Sequence, residues 1–300
     1  MTACLQLMFK PFLACLILTG VHAYLGLHVI EREVIFVDLA LAQIAAFGAT
    51  LGFLWGFGLH SLQGYLTAIG FTLVGAAVFA ATRLRKPIVP QESLIGVVYA
   101  VSAAASILVL SRAPEGGEEL KSLLVGHLLF VEWPEIVKVL ILYSLVGIVH
   151  WLVRKPLLAI SQDPEGSFAK GLRVRWWDFL FYATFGFVVT SSVEMAGVLL
   201  VFSFLIVPAI CGVLLGRTIG HRLFVGWVVG TLTSVVGIAA SYVWDLPTGA
   251  TVVCAFGACL ILCAVLRMLR PQPTRAACAG QMCRDTANAQ QSANAQQTVA

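Results

Sequence analysis

The chain has 300 residues and a mass of 32.2 kDa; 59% of its residues are apolar and only 11% carry a formal charge. Soluble domains carry about 25% charge, so a mean hydropathy of +0.92 leaves too little polar surface to keep a body of this size in water. This balance excludes a disordered chain, a collagen and a disulfide-stapled secreted scaffold, and a net charge of +4 scattered as short basic groups between apolar runs excludes a nucleic-acid surface.

Cutting the chain at its polar interruptions leaves apolar segments near 11–30, 34–59, 62–82, 93–111, 136–153, 178–192, 195–216, 223–243 and 250–269. Most reach the roughly 20 residues that span a hydrocarbon core. They predict an all-α polytopic membrane protein with nine crossings. Eight remain if one half of Trp177 to Leu215, interrupted only by Thr190, Ser191, Ser192 and Glu194, is re-entrant.

Small residues indicate how these helices meet. Ala42, Ala45, Ala46 and Ala49 recur at helical spacing in the second segment, and Gly226 and Gly230 lie four apart in the eighth, which predicts close backbone approach. Pro208 removes a backbone donor inside the seventh segment and is expected to kink it. Residues 1–270 read as one transmembrane domain. Residues 271–300, rich in Gln, Ala, Asn and Thr, bury too little apolar surface to fold and read as a disordered cytoplasmic tail.

Lys and Arg set the orientation. Nine crossings with the N-terminus outside place 15 of the 19 basic residues on the cytoplasmic side: Arg32, the Arg83/Arg85/Lys86 group, five from Arg154 to Arg175, Arg217 and Arg222, and four beyond Met268 or just before it. Lys10, Arg112, Lys121 and Lys138 fall outside, beside the acidic loop carrying Glu115, Glu118 and Glu119. The expectation is a multi-pass protein of the plasma membrane with a cytoplasmic C-terminus.

Enzyme signatures are absent: there is no Gly-x-Ser-x-Gly elbow, no His-Glu-x-x-His pair and no phosphate loop. The six histidines stand near helix ends or loops and read as interfacial side chains. Cys259 and Cys263 share a helix face and read as small apolar packing residues; Cys278 and Cys283 lie in the tail. Asp38 is the only ionisable residue between Val34 and Leu59. A carboxylate inside an apolar span is a functional candidate, with a helix-start cap as the structural alternative. Glu194 and Glu92 are further carboxylates amid apolar residues, each also readable as lying in a turn that reaches water.

Four stretches together resemble the ABC-transporter permease family that imports manganese, zinc or iron. They are Phe36 to Gln43, Glu92-Ser93-Leu94-Ile95-Gly96, Gly197 to Ala209 with its Pro208-Ala209, and Ser241-Tyr242-Val243-Trp244-Asp245-Leu246-Pro247-Thr248-Gly249. A fifth, Ser161 to Gly171, is similar to the family's cytoplasmic coupling loop. Read from its residues alone, it is a short helix capped by Asp163, beginning at Pro164, with Glu165 in its first turn and Gly171 at its end.

The resemblance implies the translocation subunit of a binding-protein-dependent importer with a divalent metal ion as transported substrate and no bound cofactor. It also implies a homodimer in the bilayer, a separate ATP-binding subunit seated on Asp163, Glu165, Ala169 and Gly171, and an extracytoplasmic solute-binding protein. Asp38, Gln43, Glu194 and Glu92 become transport-path candidates, and Asp38 the metal-ligand candidate. Gln43 stands where the family usually has histidine, and Asp38 lies one position before its aspartate. An amide is a poor transition-metal ligand, which keeps zinc, manganese, iron and a chelated metal all open. The competing readings are a permease for a siderophore-like or cobalamin-like chelate and a secondary transporter or channel.

Overall fold

A computed structural model of the chain describes residues 2–58, 61–85, 88–111, 126 and 128–269, with side chains from residue 8 onward. Every regular element among them is helical. In chain order these are α1 (Thr2–Glu31), α2 (Val37–Leu54), α3 (Leu62–Ala81), α4 (Gln91–Leu110), a single 3-10 turn (Leu128–Phe130), α5 (Trp133–Leu152), α6 (Arg154–Gln162), α7 (Pro164–Ala169), α8 (Val174–Ala196), α9 (Val198–Leu215), α10 (Ile219–Trp244) and α11 (Thr248–Leu269). Nine of these are long and apolar enough to cross a membrane. The tail, the acidic loop, His60 and His127 lie outside the described residues.

The stretch from Trp177 to Leu215 forms two full helices of 23 and 18 residues, α8 and α9, instead of one span and a re-entrant half. Gly197 separates them at φ +78°, a conformation that L side chains rarely adopt. α8 begins at Val174, four residues before the expected segment, so Asp178 sits inside the helix. α9 continues through Pro208.

The chain divides into two compact units, Met1–Cys263 and Ala264–Ala300, the second contributing only the end of α11 to the described residues. In the first unit α8 and α2 are the most enclosed spans, while α4 and α5 expose most of their surface. α2 packs on α3 and α4, α3 on α8, and α1 on α9 and α10. The expected glycine face is where α10 meets α1 and α9. A Cβ on Gly230 would lie 2.5 Å from the Thr19 methyl, and one on Gly226 would lie 3.1 Å from the Pro208 carbonyl oxygen. Bulk there would push helices apart, and in a bilayer close van der Waals contact is the main force holding them together.

Local signals explain several helix ends. Ser61 accepts from Gly64 N–H to start α3, and Thr218 accepts from His221 N–H to start α10. α5 carries Pro134 in its first turn, while the Glu132 N–H donates to the Glu135 carboxylate at 3.2 Å.

Candidate functional site

α2 opens without a side-chain cap of its own. The N–H of Phe36, just before the helix, instead donates 2.9 Å to Glu92 Oε1 from the first turn of α4, while Glu92 Oε2 is buried without a partner. Glu92 therefore holds α4 to the start of α2 instead of merely reaching water. Two residues further on, Asp38 is 2% exposed, forms no hydrogen bond or ion pair among the described residues, and has Oδ1 buried without a partner. The capping reading of Asp38 does not hold. Its one evident support is a place in the first helical turn, where the N-terminal dipole favours negative charge.

Gln43 is also buried. Five residues of helix turn it about 140° around the axis from Asp38. The structure therefore brings Asp38 and Glu92 to one end of α2 and α4, and separates Gln43 from both. No group of three His, Cys, Asp or Glu side chains that could hold a metal ion occurs among the described residues.

Glu194 belongs elsewhere. It is exposed near the C-terminal end of α8 and pairs with Lys138 at 3.2 Å; the Lys138 ammonium lies 4.2 Å above the Tyr65 ring.

The Ser161 to Gly171 segment folds as its residues require. Asp163 Oδ1 accepts from Gly166 N–H at 2.8 Å to cap α7, Pro164 occupies the first helical position and Glu165 the first turn. At the other end Leu172 N–H donates to Ser167 C=O, Gly171 N–H donates to Phe168 C=O, and Gly171 takes φ +76°. This is the paired hydrogen-bond pattern that ends helices at a left-handed glycine. Asp163, Glu165, Ala169 and Gly171 are exposed, while Ser167 turns inward.

Just before that cap a buried polar cluster ties the segment to the spans. Ser161, at the end of α6, accepts from Arg32 Nε at 2.9 Å and contacts His28 Nδ1 at 2.9 Å, both on α1. Arg32 Nη1 lies 2.5 Å from Asp178 Oδ1 on α8, and Arg83, after α3, reaches Asp178 Oδ2 at 3.7 Å. The Arg32 guanidinium also stands 4.2 Å over the Phe181 ring. A buried charge persists only when paired and hydrogen-bonded, and Asp178 has two guanidinium partners.

Sequence reading passed over this cluster because its members are distant in the chain and sit at segment edges. An aspartate inside the apolar Trp176-Trp177-Asp178-Phe179-Leu180 run, together with Arg32, was the available signal. The interfacial role expected of the histidines also fails for three of them. His22, His28 and His150 are buried, with His22 contacting Ser192 at 3.1 Å and His150 contacting Thr184 at 2.7 Å. His221 is exposed, as expected.

Among the described residues, nine membrane-length helices, an exposed capped helix between the fifth and sixth of them, and buried carboxylates on the inner helices define a polytopic membrane protein. The family profile described as "ABC 3 transport family" matches residues 4–267, and the chain belongs to that family. Its relatives include the manganese transport system membrane protein MntB of Synechocystis, 28% identical over 193 residues covering 64% of this chain and 61% of that protein. The chelated iron transport system membrane protein YfeC of Yersinia pestis is 26% identical, covering 68% of this chain and 65% of that one. The chain thus aligns with somewhat under two thirds of the length of each of these two relatives. Among solved structures, PsaBC from Streptococcus pneumoniae in complex with a Fab superposes with a TM-score of 0.72 at 21% identity, over 86% of this chain and 92% of that one. A putative metal-chelate type ABC transporter in an inward-facing conformation gives 0.64 at 19% identity, over 86% and 85%. Both likenesses concern the fold.

Proposed function

We propose that the chain is the membrane-spanning translocation subunit of a binding-protein-dependent ABC importer for a divalent metal ion, with manganese, zinc or iron as the substrate class. Family membership and the relatives' names support the class. The observation that carries the site is Asp38: a carboxylate with no hydrogen bond or ion pair among the described residues and a buried, unpartnered Oδ1, 2% exposed, in one of the two most enclosed spans. An unpaired buried carboxylate is expensive in an apolar span, so a second charge is expected to meet it during the transport cycle. Glu92, with its own free oxygen at the start of α2, is the neighbouring station. With no cluster of three His, Cys, Asp or Glu ligands among the described residues, the carboxylates Asp38 and Glu92 are the stations, and hard oxygen ligands hold the ion loosely enough to release it quickly. Gln43, facing another way, contributes no imidazole.

Two copies form the permease in the plasma membrane, with the C-terminus cytoplasmic, residues 1–270 as the transmembrane domain and 271–300 as its tail. A separate ATP-binding subunit sits on the exposed face of α7, at Asp163, Glu165, Ala169 and Gly171, and supplies the hydrolysis. An extracytoplasmic solute-binding protein delivers the ion at the opposite end, where Glu194 and Lys138 lie. Movement of α6 reaches the bundle through Ser161, which holds Arg32 and His28 of α1, and through Arg32 to Asp178 of α8. A metal chelate is the second reading, favoured by the missing imidazole at Gln43 and by the relative named for chelated iron.

The test is metal uptake and total metal content of cells carrying the native chain or Asp38→Asn at equal membrane abundance. Loss of uptake with an intact, partner-bound variant is the expected result. Normal uptake by Asp38→Asn would reduce the residue to a structural one.

A further inference from the structure

A cleft of about 450 Å³ lies between α1, α5, α6 and α10, at the end of the bundle that carries α7. That is the size of a small-molecule site. Its walls are almost wholly apolar, and two lining glycines make the room: a Cβ on Gly20 or Gly147 would meet no atom within 4 Å. Polar groups gather at the mouth. Arg154 rests 4.7 Å over the Trp151 ring with one long bond to the Trp151 carbonyl and, among the described residues, no acidic partner. Arg222 pairs with Glu31 through Nη1 at 2.7 Å, and its Nε is buried without a partner. His28 is 3% exposed, lines the cleft, spends Nδ1 on Ser161 and leaves Nε2 buried and unpartnered.

These groups select the occupant. Two guanidiniums face one carboxylate, so the mouth favours an anion, while the apolar depth rejects a free hydrated ion. Exposed Trp151 and Trp227 flank the opening, as indoles do at the headgroup level of a bilayer, and Trp227 Nε1 donates 3.0 Å to the Gly20 carbonyl across it. Basic pockets between membrane helices bind anionic headgroups. We infer that the cleft holds one acyl chain of an anionic phospholipid, with its phosphate between Arg154 and Arg222. The lipid then touches His28 and α6, and so rests against the cluster that joins the docking segment to α1 and α8.

The inference needs only a membrane-embedded chain, so its test omits metal and ATPase. Purified full-length chain is reconstituted in nanodiscs of mixed phosphatidylglycerol and phosphatidylcholine, and retained lipid is read by native mass spectrometry, with soluble glycerol phosphate as competitor. At about fivefold per uncompensated basic residue, and with Arg222 offset by Glu31, phosphatidylglycerol is expected to be enriched about fivefold. Arg154→Ala lowers that enrichment about fivefold, Gly147→Phe removes retained lipid while unfolding at the native temperature, and glycerol phosphate displaces nothing. Equal retention of the two lipids, or unchanged retention in Gly147→Phe, overturns the assignment. So does a change of oligomeric state in Gly147→Phe without retained lipid, which would make a second copy of the chain the occupant.

Discussion

Asp178 and Asp38 are both carboxylates buried in the most enclosed helices of the bundle, yet they meet opposite surroundings. Asp178 lies between Arg32 and Arg83, and Arg32 is itself held by Ser161 and stacked on Phe181. Asp38 has the dipole of its helix and, among the described residues, no hydrogen bond or ion pair, its Oδ1 being buried without a partner. The first arrangement is what a permanent buried charge requires, because attraction and hydrogen bonds must offset lost hydration. The second leaves desolvation uncompensated, which is the condition of a site waiting for a cation. Burial alone therefore does not single out a transport candidate; the contrast in charge partners is what separates Asp38 from Asp178.

The comparison breaks most visibly on Asp178. Replacing it by Ala leaves two buried guanidiniums without a counter-charge, and losses of about 3 to 5 kcal/mol follow when one member of such a pair is removed. Thermal unfolding of the purified variant should show a large drop or no folded protein at all. Asp38→Asn should do the reverse for stability, holding or slightly raising the unfolding temperature while uptake disappears; a variant as damaged as Asp178→Ala would mean that Asp38 has a structural partner after all.

Two milder changes sharpen the same contrast at the surface. Glu165→Lys reverses an exposed charge on α7, so it should leave stability within about 0.5 kcal/mol while ATP hydrolysis by the assembled complex no longer tracks uptake. A strong loss of stability would instead show Glu165 holding the fold. Glu194→Gln breaks the pair with Lys138, in which both side chains are more than a third exposed. Such pairs contribute about 0 to 1 kcal/mol, so unfolding should barely move. Uptake at native rates would remove Glu194 from the transport path, whereas a raised half-saturating metal concentration would keep it there.

The short helix α7 was legible in the residues because every bond that shapes it is local. Asp163, Pro164, Glu165 and Gly171 act on backbone groups within six residues, and the helix they frame forms where they place it. The spans were legible too, since length and apolar content decide whether a helix can cross hydrocarbon. The Gly226 and Gly230 face likewise marked where α10 would meet other helices, though not that the neighbours would be α1 and α9. The histidines misled because residues near span ends in the sequence lie, in the packed bundle, between helices instead of at the lipid surface.

Composition and period thus determined an all-helical membrane bundle with an exposed, capped helix between its fifth and sixth spans, because those properties depend on transfer of apolar surface and on bonds within one turn. Only the tertiary structure decided which charges are satisfied. Arg32 and Asp178 are 146 positions apart, and the Phe36 N–H and Glu92 are 56 apart. Whether a carboxylate finds a guanidinium, a backbone donor or nothing depends on which helices become neighbours, and helices in lipid choose neighbours by the fit of whole faces. That choice left Asp178 paired and Asp38 without a counter-charge among the described residues.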